Sequence, residues 1–195
     1  MRLRHPWRRW ALLVVTALGW AAPAALAEEP QVPVGVQAEL LVKIAAYDRN
    51  LGARAGDQVR TLVVSKPKDA DSVKTASQFL AALKTQGPIG GLPHVEEAFA
   101  FATATELAEA VKARKVAIVY LSSGFADDEL AAIGAAVADA DLLTVSAVAA
   151  YVRKGVVLGF DLVSGKPKLV IDLPRANRQH VALSANVLRL MTVYP

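Results

Sequence analysis

Residues 142–190 read LLTVSAVAAYVRKGVVLGFDLVSGKPKLVIDLPRANRQHVALSANVLRL, and the order of elements in this stretch decides the fold class. Val156 to Val163 is nearly continuous apolar sequence with one glycine, the pattern of a strand buried on both faces. Ser164-Gly165 followed by Lys-Pro-Lys interrupts it, and Lys168 to Leu173 resumes it. Two such runs around a short glycine-containing turn predict an antiparallel hairpin. Pro167 has no N–H, so it belongs at the start of the second strand or on an edge. Pro174 stops that strand and suits the first turn of a helix. Beyond it Val181, Leu183, Val187, Leu188 and Met191 recur at roughly helical spacing, while Arg175, Arg178, Asn186 and Arg189 stay polar, which predicts a closing helix that covers a sheet.

Upstream of this stretch, strands and helices alternate. Val34 to Tyr47 is a first helix of good helix formers, with Leu40, Leu41, Ile44, Ala45 and Tyr47 close to one face. Gln58 to Ser65 is a β-branched strand, and Asp71 or Ser72 can cap a helix reaching Gln86. Val95 to Ala102 is a weaker strand, followed by a helix to Arg114 capped by Thr103 or Thr105. Val116 to Leu121 is an apolar strand expected near the sheet centre, and Asp127 to Asp139 is an alanine-rich helix. Leu142 to Val145 is the fourth strand, with a short helix at Ala147 to Lys154. This alternation predicts an α/β fold: an open, mostly parallel sheet covered by helices on both faces, with a C-terminal antiparallel hairpin and a closing helix.

The first 27 residues have the plan of a secretory signal peptide. Arg2, Arg4, Arg8 and Arg9 precede an apolar core from Ala11 to Trp20, and Ala25-Leu26-Ala27 offers a cleavage site after Ala27. A retained anchor and a twin-arginine signal are the alternatives. Residues 28–33 form a leader, and 34–195 are expected to be one domain. Without the four signal arginines the chain keeps 18 Lys and Arg against 18 Asp and Glu, which argues against nucleic-acid binding through bulk charge. Trp7, Trp10 and Trp20 all lie in the signal, and the chain has no cysteine. Thiol chemistry is therefore excluded, and His94 and His180 lack the spacing of a metal site, so neither a metal nor another cofactor is expected.

Ligands on open α/β sheets favour the C-terminal ends of strands, which makes Ser122, Ser123, Gly124 and Ser146 a candidate ligand loop. A serine nucleophile there would need an elbow, a histidine and an acid. The G-x-S-x-G pattern is absent, and neither histidine has an argued route to Ser122, so no enzyme is expected. The glycines from Gly87 to Gly91 follow a helix and precede a strand, the reverse of a phosphate loop. Asp127-Asp128-Glu129 reads as a dipole-complementing helix start, Lys66 and Lys68 as solvated, and Asp48-Arg49-Asn50 as local pairing or a cap. Leu40, Leu41 and Ile44, with Val187 and Met191, are candidate contact faces for a partner or a homodimer, unless they simply cover the sheet.

Several segments together resemble the YfiR-like family of exported bacterial proteins. They are Tyr47-Asp48-Arg49-Asn50-Leu51, Val116 to Ser123, Leu143-Thr144-Val145-Ser146, Gly155, Gly159-Phe160, Ile171-Asp172-Leu173 and Leu183 to Leu190. The resemblance covers most of the chain after the signal, and the ordered set carries it. It implies a periplasmic α/β domain that acts by protein–protein contact. The family's namesake restrains a membrane-bound diguanylate cyclase and so controls cyclic-di-GMP output, and relatives are associated with membrane sensor kinases. The expected partner is therefore an inner-membrane signalling protein. Two departures stand out: the namesake's redox-sensitive cysteines are missing, and Asp172 replaces the family's usual asparagine. The alternative expectation is a small-molecule-binding periplasmic domain resembling one lobe of a solute receptor.

Overall fold

The computed structural model describes residues 31–195, so the signal peptide expected at residues 1–27 lies outside the described residues. Seven strands form one sheet in the order β2-β1-β3-β4-β5-β6-β7. They are β1 (Val59–Ser65), β2 (His94–Ala100), β3 (Ile118–Leu121), β4 (Leu143–Ser146), β5 (Leu158–Val163), β6 (Lys166–Asp172) and β7 (Thr192–Tyr194). Only β5 and β6 are antiparallel, and Asp161 faces Lys168 across the hairpin. The sheet is α/β and mostly parallel, as the alternation predicts.

Each face of the sheet has its own apolar core. α1 (Val34–Ala45) and α3 (Ala70–Lys84) cover one face, where Leu41, Phe79 and Leu83 pack on Val63, Tyr120, Val145 and Phe160. α4 (Ala104–Arg114) and α5 (Asp127–Ala136) cover the other, with Leu107, Val111, Leu130 and Ile133 on Leu62, Val64 and Val119. The period-two alternation of β1 sends Val63 to one core and Leu62 and Val64 to the other. Most polar groups inside are satisfied; among the described residues the Thr61 hydroxyl and Arg175 Nε have no hydrogen-bond partner. The Tyr120 phenol stacks on Phe79 and donates to Gln37 Oε1 at 2.8 Å, and burial pushes its pKa strongly up.

Several local readings change. The N-cap of α3 is Asp69, whose carboxylate accepts the Ser72 N–H at 2.9 Å, which leaves the Ser72 hydroxyl for other work. Thr103 caps α4. A five-residue helix not anticipated from the sequence, α2 (Leu51–Ala55), follows α1. Residues 149–154 are a 3₁₀ turn, ended by Gly155 at φ 146°. A Cβ at Gly155 would collide with the Leu130 carbonyl, so glycine is what lets α5 pack this closely. Asp172 caps the following helix by accepting the Arg175 N–H at 2.9 Å, a task an asparagine oxygen performs equally well.

The closing helical segment comes in two pieces. α6 (Leu173–Arg178) ends where His180 takes φ 53°, its N–H on Asn177 O and the Val181 N–H on Ala176 O. That pair of bonds is a Schellman motif, and it terminates the helix. The chain then crosses to the α1 side of the sheet, forms α7 (Ala185–Leu188), and adds β7 parallel to β6. β7 reaches only Val170 to Asp172, so Pro167 sits on a part of β6 that β7 leaves uncovered.

Candidate functional site

The strand order reverses between β1 and β3, where a ligand crevice would open at the C-terminal strand ends. Here that position is filled by the protein. Ser122 is fully buried, its Oγ 2.6 Å from Ser72 Oγ, and Ser72 Oγ also accepts the Lys66 N–H at 2.9 Å. Gly124, at φ 88°, lies so close to Asp69 that a side chain would strike its carboxylate. Ser146 is buried and accepts the Val148 N–H at 2.9 Å. Ser123 is partly exposed and Gly124 is exposed beside them. The hydroxyls of Ser122 and Ser146 are thus engaged internally.

Electrostatics reinforce the closure. Lys66, expected to be solvated, pairs with Glu129 at 2.8 Å across the two loops, while Lys68 stays exposed. Glu129 also accepts the Ala126 N–H. Partial burial pushes the Glu129 carboxyl up, but Lys66 and the Ala126 amide outweigh it and hold its pKa below the ordinary value. Tyr151 takes the Phe125 N–H on its hydroxyl at 3.0 Å, and burial raises its pKa.

Neither histidine completes a catalytic set. His94 starts β2, at the opposite end of the sheet from Ser122, and bonds Glu96 and Gln86 O. His180 is exposed beyond α6. Among the described residues no three His, Cys, Asp or Glu side chains are grouped to hold a metal.

The N-terminal end of the sheet holds a buried charge cluster that the sequence reading missed. Asp48 and Arg54 each have side chains 1% exposed and pair at 2.7 Å. Asp48 also accepts the Asn50 and Ala182 N–H groups, and Arg54 reaches Asp141 at 2.9 Å and His180 O at 3.2 Å. The segment after α1 and the segment after α6 are therefore clamped together. The Asp48-to-Arg54 spacing carries no recognisable local signal, because the pair forms only once α2 turns the chain back.

The two apolar faces expected to make contacts converge in one groove of about 550 Å³. Leu40 and Ile44 from α1 form one wall, Val187 and Met191 another, and Pro167 to Leu169 of β6 the base. Leu41 points elsewhere, wholly into the core. Tyr47 and Leu190 line the groove and are 56% and 77% exposed, the largest exposures among the apolar side chains there. Its charged lining residues are Lys43 and Lys168, with Ser184 and Asn186 as neutral polar ones. A second cavity of about 490 Å³ lies between α4 and α5, with charges of both signs around it.

Comparison with solved structures gives likenesses of fold. A conserved domain protein from Vibrio cholerae is 18% identical with a TM-score of 0.56, over 83% of this chain and 60% of that one. An ABC domain from Streptococcus pneumonia in complex with L-Trp is 14% identical with a TM-score of 0.52, over 77% of this chain and 62% of that one. A substrate binding protein with adhesive properties from Clostridium difficile, in its ligand-free open form, is 10% identical with a TM-score of 0.51, over 74% and 57%. The chain thus spans about three fifths of the length of these proteins. No match is found among the curated proteins compared. A family profile described as YfiR/HmsC-like matches residues 35–192, from the start of α1 into β7, and the chain belongs to that family.

Proposed function

We propose that this protein is exported to the periplasm, with residues 1–27 as its signal peptide, and acts there without catalysis as a regulatory adaptor of an inner-membrane signalling protein. A diguanylate cyclase or a sensor kinase is the partner that the family suggests. The observation that carries the reading is the groove between α1 and α7, where the candidate contact residues Leu40, Ile44, Val187 and Met191 meet beneath the exposed Tyr47 and Leu190. Large apolar side chains exposed around an apolar depression mark contact surfaces more often than they serve stability. Family membership supports the same reading. Among the described residues no helix is long and apolar enough to cross a membrane.

The reading as one lobe of a solute receptor draws on fold likeness alone. The crevice such a lobe would use is occupied by the Ser72–Ser122 hydrogen bond and the Asp69–Gly124 contact. Ser122, Ser123, Gly124 and Ser146 are accordingly the weaker candidate site.

The test places a photo-crosslinking amino acid at Leu190 in the native cells, with Val73 on α3 as an exposed control. The expected result is capture, from Leu190 only, of a membrane protein with a cyclase or kinase output domain, and its loss on Tyr47→Asp. Capture of the same protein equally from Val73, or of none from either position, would overturn the proposal. Capture of a second copy from Leu190 would instead assign the groove to a homodimer.

A further inference from the structure

We infer that the groove between α1, α7 and β6 is also a binding site for a single-chain carboxylate amphiphile, a fatty acid of medium or long chain. Its volume of about 550 Å³ falls among small-molecule sites, which are mostly apolar with a few polar groups that fix orientation. Leu40, Ile44, Leu169, Val187 and Met191 supply an aliphatic bed. Pro167, on the uncovered part of β6, has no N–H that an apolar ligand would leave unpaired. A polyhydroxylated ligand would bury hydroxyls against the aliphatic bed away from the few polar groups of the lining, which is costly.

The head group follows from charge. Lys43 and Lys168 are the charged residues lining the groove, no carboxylate joins them, and neither makes an ion pair among the described residues. Both are exposed, so their ammonium groups can meet a ligand head at the mouth. Asp161 lies opposite Lys168 on β5 but makes no ion pair with it and does not line the groove, so the two charges that face a ligand are both positive, which favours a carboxylate and disfavours a cation. Ser184 and Asn186 add hydrogen-bond donors to the same wall. A bound chain would occupy the space beneath Tyr47 and Leu190, so ligand and partner would meet at one surface. The binding claim itself does not depend on the partner reading.

Purified protein starting at Glu28 tests this directly, since every described element and core residue lies in 32–195. That form lacks Trp7, Trp10 and Trp20, so Leu190→Trp places a single tryptophan at the groove, excited apart from the tyrosines. Decanoate, dodecanoate and tetradecanoate are titrated below their micelle concentrations, beside dodecyltrimethylammonium and phosphatidylglycerol vesicles. Calorimetry on the protein without the tryptophan checks that the reporter creates nothing. The expected result is saturable one-to-one binding that tightens about fourfold per added methylene. The cation should bind at least about tenfold more weakly, and K43E/K168E should reverse that preference. Equal affinity for both head groups, no dependence on chain length, or a response to vesicles alone would overturn the proposal. The head-group and chain-length series need no further variant, so the result stands even if K43E/K168E fails to fold. Carboxylate binding without partner capture at Leu190 would separate this inference from the adaptor reading, and so would the reverse.

Discussion

Replacing Asp48 with alanine removes the acceptor that ties the segment after α1 to the segment after α6. Its Oδ2 takes Arg54 Nη1 at 2.7 Å, and its Oδ1 takes the N–H groups of Ala182 at 2.9 Å and Asn50 at 3.1 Å. Removing one partner of a buried ion pair costs about 3–5 kcal/mol, chiefly through the charge left behind. Arg54 keeps Asp141 at 2.9 Å and His180 O at 3.2 Å, which places Asp48→Ala near the lower bound, about 3 kcal/mol. For a chain of this size that lowers Tm by roughly 6–12 °C. Urea unfolding of the Trp-free protein from Glu28, followed by far-UV circular dichroism, measures it. A double-mutant cycle with Arg54→Ala should give a coupling of about 1.5 kcal/mol or more, because each single change strands the other charge. A cost for Asp48→Ala below about 1 kcal/mol, or additivity within about 0.5 kcal/mol, would refute the clamp as a source of stability.

Ser122→Ala should cost about 1 kcal/mol, the worth of one buried hydrogen bond, and leave partner capture from Leu190 unchanged. Loss of capture in a folded Ser122→Ala protein would return function to the switch-point loops. The Lys66–Glu129 pair makes a signed pH prediction. Glu129 has its folded pKa below the unfolded value, so its contribution is present above the unfolded pKa of about 4.3 and disappears as pH falls through the folded value. Lys66→Met should therefore lower the unfolding free energy near pH 6 by at most about 1 kcal/mol for this half-buried pair, read from urea unfolding, and the difference should vanish under more acidic conditions. A difference that persists unchanged into acid would mean that the lysine stem acts through packing.

Much of the architecture is decided locally. The β-branched runs at 59–65 and 118–121, the turn at Ser164-Gly165 and the Thr103 cap are set by residues close in sequence, through burial period, turn geometry and capping. Those signals sufficed for an open, mostly parallel sheet with helices on both faces and a C-terminal hairpin. The apolar stripe of α1 was also legible, but not its division. Leu41 goes wholly into the core, Ile44 is buried at its edge and also lines the groove, and Leu40 stays half-buried on the groove wall.

Long-range contacts decided the rest. The break in the closing helix follows from His180 in the left-handed region and from Asp48 taking the Ala182 N–H across 134 residues. β7 exists because that break returns the chain to the edge of β6. The Ser122 loop looked open because serine and glycine suit a ligand turn, but the Ser122 hydroxyl is buried against Ser72 and Asp69 crowds Gly124, both reaching in from another element. The elements and their alternation follow from local signals, since hydrophobic period and turn chemistry act over a few residues. Which polar groups are already satisfied, and which apolar side chains face one another across a groove, emerged with the folded chain, because both depend on distances between segments far apart in sequence.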